Sequence, residues 1–290
     1  MKPHPTLKWL IPLIIILASL AAVCGLLIKG GNGAFEFTSL HGQVVRMDGH
    51  GLYRNDSLFS AATFRATDAI TLVVGVPLLV LAFVSYLRGS MRGGLVLAGA
   101  VSYFLYIGAS MAFSASFNNL FLVYVALFSA SLFGLIIILT SIDLHGLPAH
   151  ALPALPHRGI SIFLLIAGFG TLAIWLSDLA GPILAGKAPE TLGPYTTLYT
   201  YAFDSAVITP AATLTGLAIL RRKPLGYLLA APIMILCVMN GIVVIASTAA
   251  QTLVGIIFPV GVYIGMIGSW VVMGAFATGL TIAFFRNFTN

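Results

Sequence analysis

Residues 120–142 read LFLVYVALFSASLFGLIIILTSI, without a single charged side chain. Coiled as an α-helix at about 1.5 Å per residue, this stretch is long enough to cross a hydrocarbon core of about 30 Å. No water inside a bilayer can serve the backbone N–H and C=O groups, so a spanning segment is either a helix or a strand of a closed barrel. A barrel strand alternates apolar and polar residues over about ten positions, and this stretch does not. It is read as a transmembrane helix.

Similar runs recur along the chain. Of 290 residues, 59% are hydrophobic and 8% charged, with a mean hydropathy of +1.05. A soluble domain carries about 25% charged residues. The apolar runs fall at residues 9–28, 68–87, 94–114, 120–142, 159–181, 196–220, 225–248 and 261–285. The expected fold class is all-α, a polytopic transmembrane helical bundle of about eight spans. Gln251 and Pro259 interrupt the run from Ala249 to Val260. That piece is a candidate re-entrant or interfacial segment, and seven spans is the alternative count if it fuses with a neighbour.

Lysine and arginine in short loops mark the cytoplasmic side. With eight spans, one side collects Lys2, Lys8, Arg88, Arg92, Arg158, Arg221, Arg222, Lys223 and Arg286 against Asp143 alone. Both termini are therefore expected in the cytoplasm, at a plasma membrane. On the opposite side Lys29, Arg46, Arg54, Arg65 and Lys187 roughly balance Glu36, Asp48, Asp56 and Glu190. The net charge of +6 is then a topology signal that would draw anionic lipids to the inner rim, and nucleic acid is not implied. The N-terminal MKPHPTLKWL has the order of a signal peptide, but its apolar run is long and lacks a small-residue cleavage site. It reads as an uncleaved first span. Cys24 and Cys237 both fall inside spans, where small buried side chains are the expectation.

Two connections divide the chain. Residues 30–67 form the one long outer loop, where β-formers and turn signals such as Met47-Asp48-Gly49 suggest a hairpin or cap that a protein partner could contact. Residues 143–158 hold three prolines and read as an extended cytoplasmic linker. The expected organisation is a four-span half over 1–142, the linker, and a second four-span half over 159–290. An offset of 133 residues aligns Pro77 with Pro210, Arg88 with Arg221, Gly93 with Gly226 and Gly108 with Gly241. This makes the halves a candidate parallel repeat, related by an axis along the membrane normal. Pro77 and Pro210 each remove a backbone donor within a span, so kinks are expected there.

An ionisable residue inside a span costs about 2.5 to 3.5 kcal/mol or more, so it faces the bundle interior or water and marks a functional candidate. Asp204 sits about 12 Å inside its run, while Asp68 and Asp178 lie nearer the outer ends of theirs. Arg65 is three residues before Asp68, close enough on a helix to pair with it. Asn240 is the other deep polar group. Tyr103, Tyr106, Asn118 and Asn119 fall in the same half of the membrane. These residues suggest an outward-facing polar cavity around Asp204, Asp68 and Asn240. In the alternative, each acid is satisfied by a neighbour: Asp68 by Arg65, and Asp204 by Tyr199, Tyr201, Ser205 or a group on another helix.

His145, His150 and His157 are spaced by five and seven, which fits no usual metal-ligand pattern, and His41 and His50 are little better. No phosphate-cradling glycine loop, zinc-protease helix, nucleophile elbow or dithiol motif is present. Neither a metal nor a cofactor is expected, and an enzyme is the weaker expectation.

The tracts GLYRNDSLFSAATFRATDAITLVVGVPLL, RGSMRGGLVLAGAVSYFLYIGASMAFSASFNNLFLVYVALFSASLFGLI and YTTLYTYAFDSAVITPAATLTGLAILRRKPLGYLLA resemble a group of bacterial multi-pass membrane proteins to which no activity is attached. The resemblance covers spans two to seven. It implies a recurring acid at the start of span two, an asparagine-rich turn before span four and an acid in span six. Asp68, Asn118 with Asn119, and Asp204 occupy those places here. It also implies a bacterial plasma membrane.

The leading functional expectation is binding of a small solute or ion for transport or sensing. The alternatives are a non-transporting accessory subunit and an intramembrane enzyme on a lipid-linked substrate, with Asp204 or Asp178 as acid or base.

Overall fold

The computed structural model describes residues 2–290, with Met266 described by its backbone only. Eight helices are long and apolar enough to cross a membrane: α1 (Leu7–Leu27), α2 (Leu58–Leu87), α3 (Met91–Phe113), α4 (Phe121–Ser141), α5 (His157–Leu184), α6 (Tyr199–Leu220), α7 (Pro224–Leu253) and α8 (Val260–Arg286). The protein is an all-α bundle. Its described strands are one antiparallel hairpin, β1 (Phe35–Thr38) and β2 (Val44–Met47), pairing Phe35 with Met47 and Thr38 with Val44.

Helices α3 and α7 are the most enclosed. The reason for α3 lies in its sequence, GGLVLAGA, whose small side chains let neighbouring backbones approach where no hydrophobic force separates helix from lipid. A Cβ added to Gly108 would lie 2.8 Å from the Phe128 nitrogen of α4, and one added to Gly241 of α7 would lie 2.9 Å from the Gly274 Cα of α8. Large apolar side chains such as Ile16, Leu81 and Phe133 point outward, as a lipid-facing surface requires.

The two prolines expected to kink their helices do something more specific. Residues Thr71–Gly75 and Asp204–Ile208 are each a single π-helical turn, closed by Val76 N–H donating to the Thr71 carbonyl and Thr209 N–H donating to the Asp204 carbonyl. Pro77 and Pro210 follow directly. A proline cannot donate and its ring crowds the carbonyl four residues back, and one widened turn accommodates both defects. A third π turn, Tyr263–Ile267 in α8, has no proline after it.

The offset of 133 residues also relates the turns at the other end of these helices. Gly89 (φ 80°) and Arg222 (φ 53°) both take left-handed backbone. Gly89 N–H donates to Tyr86 O as Arg222 N–H does to Ile219 O, and Ser90 to Ser85 as Lys223 to Ala218. Added Cβ atoms at Gly93 and Gly226 would meet the same backbone two turns earlier, at Ser85–Tyr86 and Ala218–Ile219 respectively.

Several sequence expectations need correction. Helix α2 begins at Leu58 rather than near 68, because Ser57 caps it by accepting from Ser60 N–H, and Asp48 neutralises Arg65 within it. The segment between α1 and α2 is thus residues 28–57, and Asp68 lies well inside α2 rather than near its start. Helix α6 begins at Tyr199, so Asp204 is only about 7 Å from its start. The first part of the suspected re-entrant piece, residues 249–253, belongs to α7, which continues to Leu253 before a turn at Gly255. The 143–158 segment is not an open tether: it forms a 3-10 turn at Leu147–His150, buries Leu147 and Leu155, and pairs Ala151 with Phe288.

The segment before α2 forms a cap over one end of the bundle. Gly49 (φ 70°) makes its turn, and an added Cβ there would lie 1.8 Å from Gly33 O, so only glycine fits. Arg65 grips Asp48 through two nitrogens at 2.9 and 2.6 Å. Asp56, 1% exposed, accepts at Oδ1 from Ser116 N–H (2.8 Å) and Tyr195 hydroxyl (3.0 Å), tying the cap to the α3–α4 and α5–α6 connections.

Candidate functional site

At the capped end a cavity of about 260 Å³ lies among α2, α3, α5, α6, α7 and α8. Its walls include Thr63 and Thr67 from α2, Tyr106 from α3, Trp175 from α5, Asp204 from α6, Asn240 from α7 and Trp270 from α8. Gln251 donates to Thr63 Oγ1 at 2.8 Å and links α7 to α2 beside it.

Asp204 is the first residue of the α6 π turn and is 3% exposed. Its Oδ1 accepts from the Tyr106 hydroxyl at 3.1 Å and its Oδ2 from Trp175 Nε1 at 3.1 Å. These two donors fix the carboxylate plane, while the widened turn sets the direction from which Asp204 enters the cavity. Among the described residues the ion pair present is Arg65 with Asp48, so no cation among them neutralises Asp204. The half-buried Asn240 amide also lines the cavity, with no hydrogen bond to another described residue, and about two turns further along α7 the buried Ser247 hydroxyl is likewise unpartnered among the described residues. Buried polar groups are hydrogen-bonded as a rule, so these are open positions for a ligand or water.

The other sequence candidates lie elsewhere. Asp68 does not line the cavity: its Oδ2 accepts from the Tyr53 hydroxyl at 2.7 Å, in a cluster against α1 where Gly25 lets the helices touch. The expected Arg65–Asp68 pair is replaced by Arg65–Asp48, since Tyr53 already serves Asp68 and Asp48 is 2% exposed with a need for charge. Asp178 accepts from Thr191 (2.7 Å) and Tyr201 (2.9 Å), outside the cavity. Tyr103 shares a 2.9 Å hydrogen bond with Thr71. Asn118 holds the turn before α4, accepting from Leu120 N–H at 2.9 Å, and Asn119 is exposed. Of the alternative partners for Asp204, Tyr199, Tyr201 and Ser205 are not used, whereas groups on other helices are, Tyr106 and Trp175.

In the 133-residue frame Asp204 stands opposite Thr71 rather than Asp68. Both residues open a π turn, and both meet a tyrosine on α3, Tyr103 for Thr71 and Tyr106 for Asp204. The first of these positions is closed by a neutral hydroxyl pair. The second carries the acid and the cavity.

Sequence reasoning missed Trp175, which donates to Asp204 from another helix, and Trp270, which packs at 6.4 Å from it. A tryptophan in a span is ordinarily an interface anchor. The available signal was that Asp204 has no basic residue within its own span. Compared with protein families, curated proteins and solved structures, the chain gives no match.

Proposed function

We propose that the cavity at Asp204 binds a small solute or ion, for transport or sensing, from the side of the membrane that carries the cap. One observation carries this reading. A carboxylate 3% exposed, held by two donors and without a cation of its own, borders a cavity whose Asn240 and Ser247 are also open. An unpaired acid within a span is costly, and the expense is recovered where a ligand, ion or proton meets it. The cap as the outer face, in a bacterial plasma membrane, rests on loop charges and on the resemblance of the three tracts. The matching π turns and glycine turns support two four-span halves in parallel repeat, with one ligand-bearing position per chain.

The accessory-subunit reading has its own support in the hairpin, where Phe35, Phe37, Leu40 and Val44 are all exposed and suit a protein partner. The enzyme reading needs converging acids. Asp68, Asp178 and Asp204 lie in three separate hydrogen-bonded sets.

The test is thermal stability of the purified chain in nanodiscs against a panel of monovalent ions and small polar solutes. At least one should stabilise the wild type saturably. Asp204→Asn and Asn240→Ala should fold with unchanged helical content and lose that response. A response that survives both substitutions, or no response to any solute, would remove the proposal.

A further inference from the structure

The walls of the Asp204 cavity hold more information than its acid alone. Tyr106, Trp175, Trp270, Phe59, Phe64 and Phe258 all line it, so aromatic rings come from α2, α3, α5, α8 and the turn before α8. Phe59 and Phe258 meet edge to face at 6.2 Å, and Trp175 is stacked on Tyr201 at 4.0 Å and tilted against Trp270 at 6.4 Å. Aromatic faces carry partial negative charge and attract cations, most strongly tryptophan. We infer that this cavity takes a small organic ammonium ion, with the charged nitrogen against the Asp204 carboxylate, its alkyl groups on the aromatic walls, and a polar tail toward Asn240 and Ser247.

Three features separate this class from the other solutes that the solute-site reading, on which it rests, would allow. An inorganic cation such as calcium asks for six to eight oxygen ligands. Asp204 supplies the one carboxylate of the lining, each of its oxygens already accepting one hydrogen bond, and the other oxygens are neutral amides and hydroxyls such as those of Asn240, Gln251, Thr63 and Ser247, a weak match for a multivalent cation. No group of three or more His, Cys, Asp or Glu able to hold a metal occurs among the described residues. An organic ammonium ion sheds its weakly held water readily and gains dispersion contact from the rings. An anion is disfavoured because no lysine or arginine lines the cavity and its one charged group is an acid. A neutral apolar molecule would leave Asp204 unmatched. Size agrees as well, since a cavity of about 260 Å³ has room for a cation of choline's bulk. The position opposite in the 133-residue frame provides an internal contrast. There Thr71 and Tyr103 close on each other, with neither acid nor open amide.

The test uses the full chain in nanodiscs and equilibrium binding of labelled choline. Displacement is measured with benzyltrimethylammonium, with 3,3-dimethyl-1-butanol, which is choline with carbon in place of nitrogen, and with sodium and potassium chloride. Saturable choline binding is expected, displaced by benzyltrimethylammonium and not by the neutral alcohol. Asp204→Asn should weaken it at least about tenfold with helical content unchanged, and Trp270→Leu severalfold. Asp68→Asn, outside the cavity, should leave it within about twofold. Equal displacement by the neutral alcohol or by sodium would overturn the ammonium inference while leaving a solute site. Absence of choline binding, alongside a stabilising solute of another class, would do the same. If neither choline nor any panel solute acts, both readings fall together.

Discussion

Neutralising Asp56 should abolish a pH dependence of the cap that the structure builds in. Asp56 is 1% exposed, its Oδ2 has no partner, and Asp48 lies close enough to oppose its charge. Burial pushes its carboxyl from 3.8 up to about 6, against the opposing pull of the Ser116 and Tyr195 hydrogen bonds. The closed cap therefore holds the Asp56 proton more tightly than an opened, hydrated one. Below about pH 4 both forms are protonated and closure carries no penalty. As pH rises through about 6 closure loses about 3 kcal/mol, about a hundredfold in the opening equilibrium. Hydrogen exchange of the Ser116 amide reads this directly, because that N–H is bonded to Asp56 Oδ1. Asp56→Asn keeps the carbonyl acceptor and removes the titration. After division by the rate for the Asn variant, wild-type opening should increase by about two orders of magnitude between pH 4 and pH 7. A flat ratio, or greater protection at high pH, would refute the reasoning.

Other substitutions probe the architecture. Arg65→Leu leaves Asp48 buried without a cation and should loosen the cap by about 3 to 5 kcal/mol, seen as protease cleavage within residues 28–57, with Asp48→Asn in the same chain restoring much of the resistance. Gly25→Ala puts a Cβ 1.9 Å from Asp68 Oδ2, so it should cut the yield of folded protein and lower thermal stability. Wild-type stability there would mean that α1 and α2 do not meet as described. Gly93→Ala and Gly226→Ala, with Cβ atoms 2.5 Å from Ser85 Oγ and 2.3 Å from the Ile219 nitrogen, should each destabilise by about 1 to 3 kcal/mol in the same assay. Tolerance of one and not the other would break the equivalence of the two turns.

The spans were legible because lipid leaves the chain so few options: a charge-free run such as 120–142 has to be a helix. Pro77 and Pro210 announced a backbone irregularity, and their spacing located two equivalent ones, a π turn before each proline. Asp204 announced itself as an acid inside a span that holds no basic residue. Its actual partners, Tyr106 and Trp175, are 98 and 29 residues away in sequence, and such pairs depend on helix rotation that no local pattern encodes. The same limit explains Arg65. Three-residue spacing pointed to Asp68, while a loop acid 17 residues earlier and a loop tyrosine settled the pairing instead. Asp48 and Asp56 read as ordinary outer-loop charges, and their burial came only with the folded cap.

The central claim is that the Asp204 cavity is reached from the capped side and holds positive charge. Cysteine placed at Asn240, in a chain with Cys24 and Cys237 replaced by serine and alanine, can be tested with small thiosulfonate reagents of opposite charge added to one side of sealed vesicles. The cationic reagent should modify position 240 from the capped side at least about tenfold faster than the anionic one, and Asp204→Asn should erase that preference. Equal rates for the two reagents, or no modification from the capped side, would contradict the account.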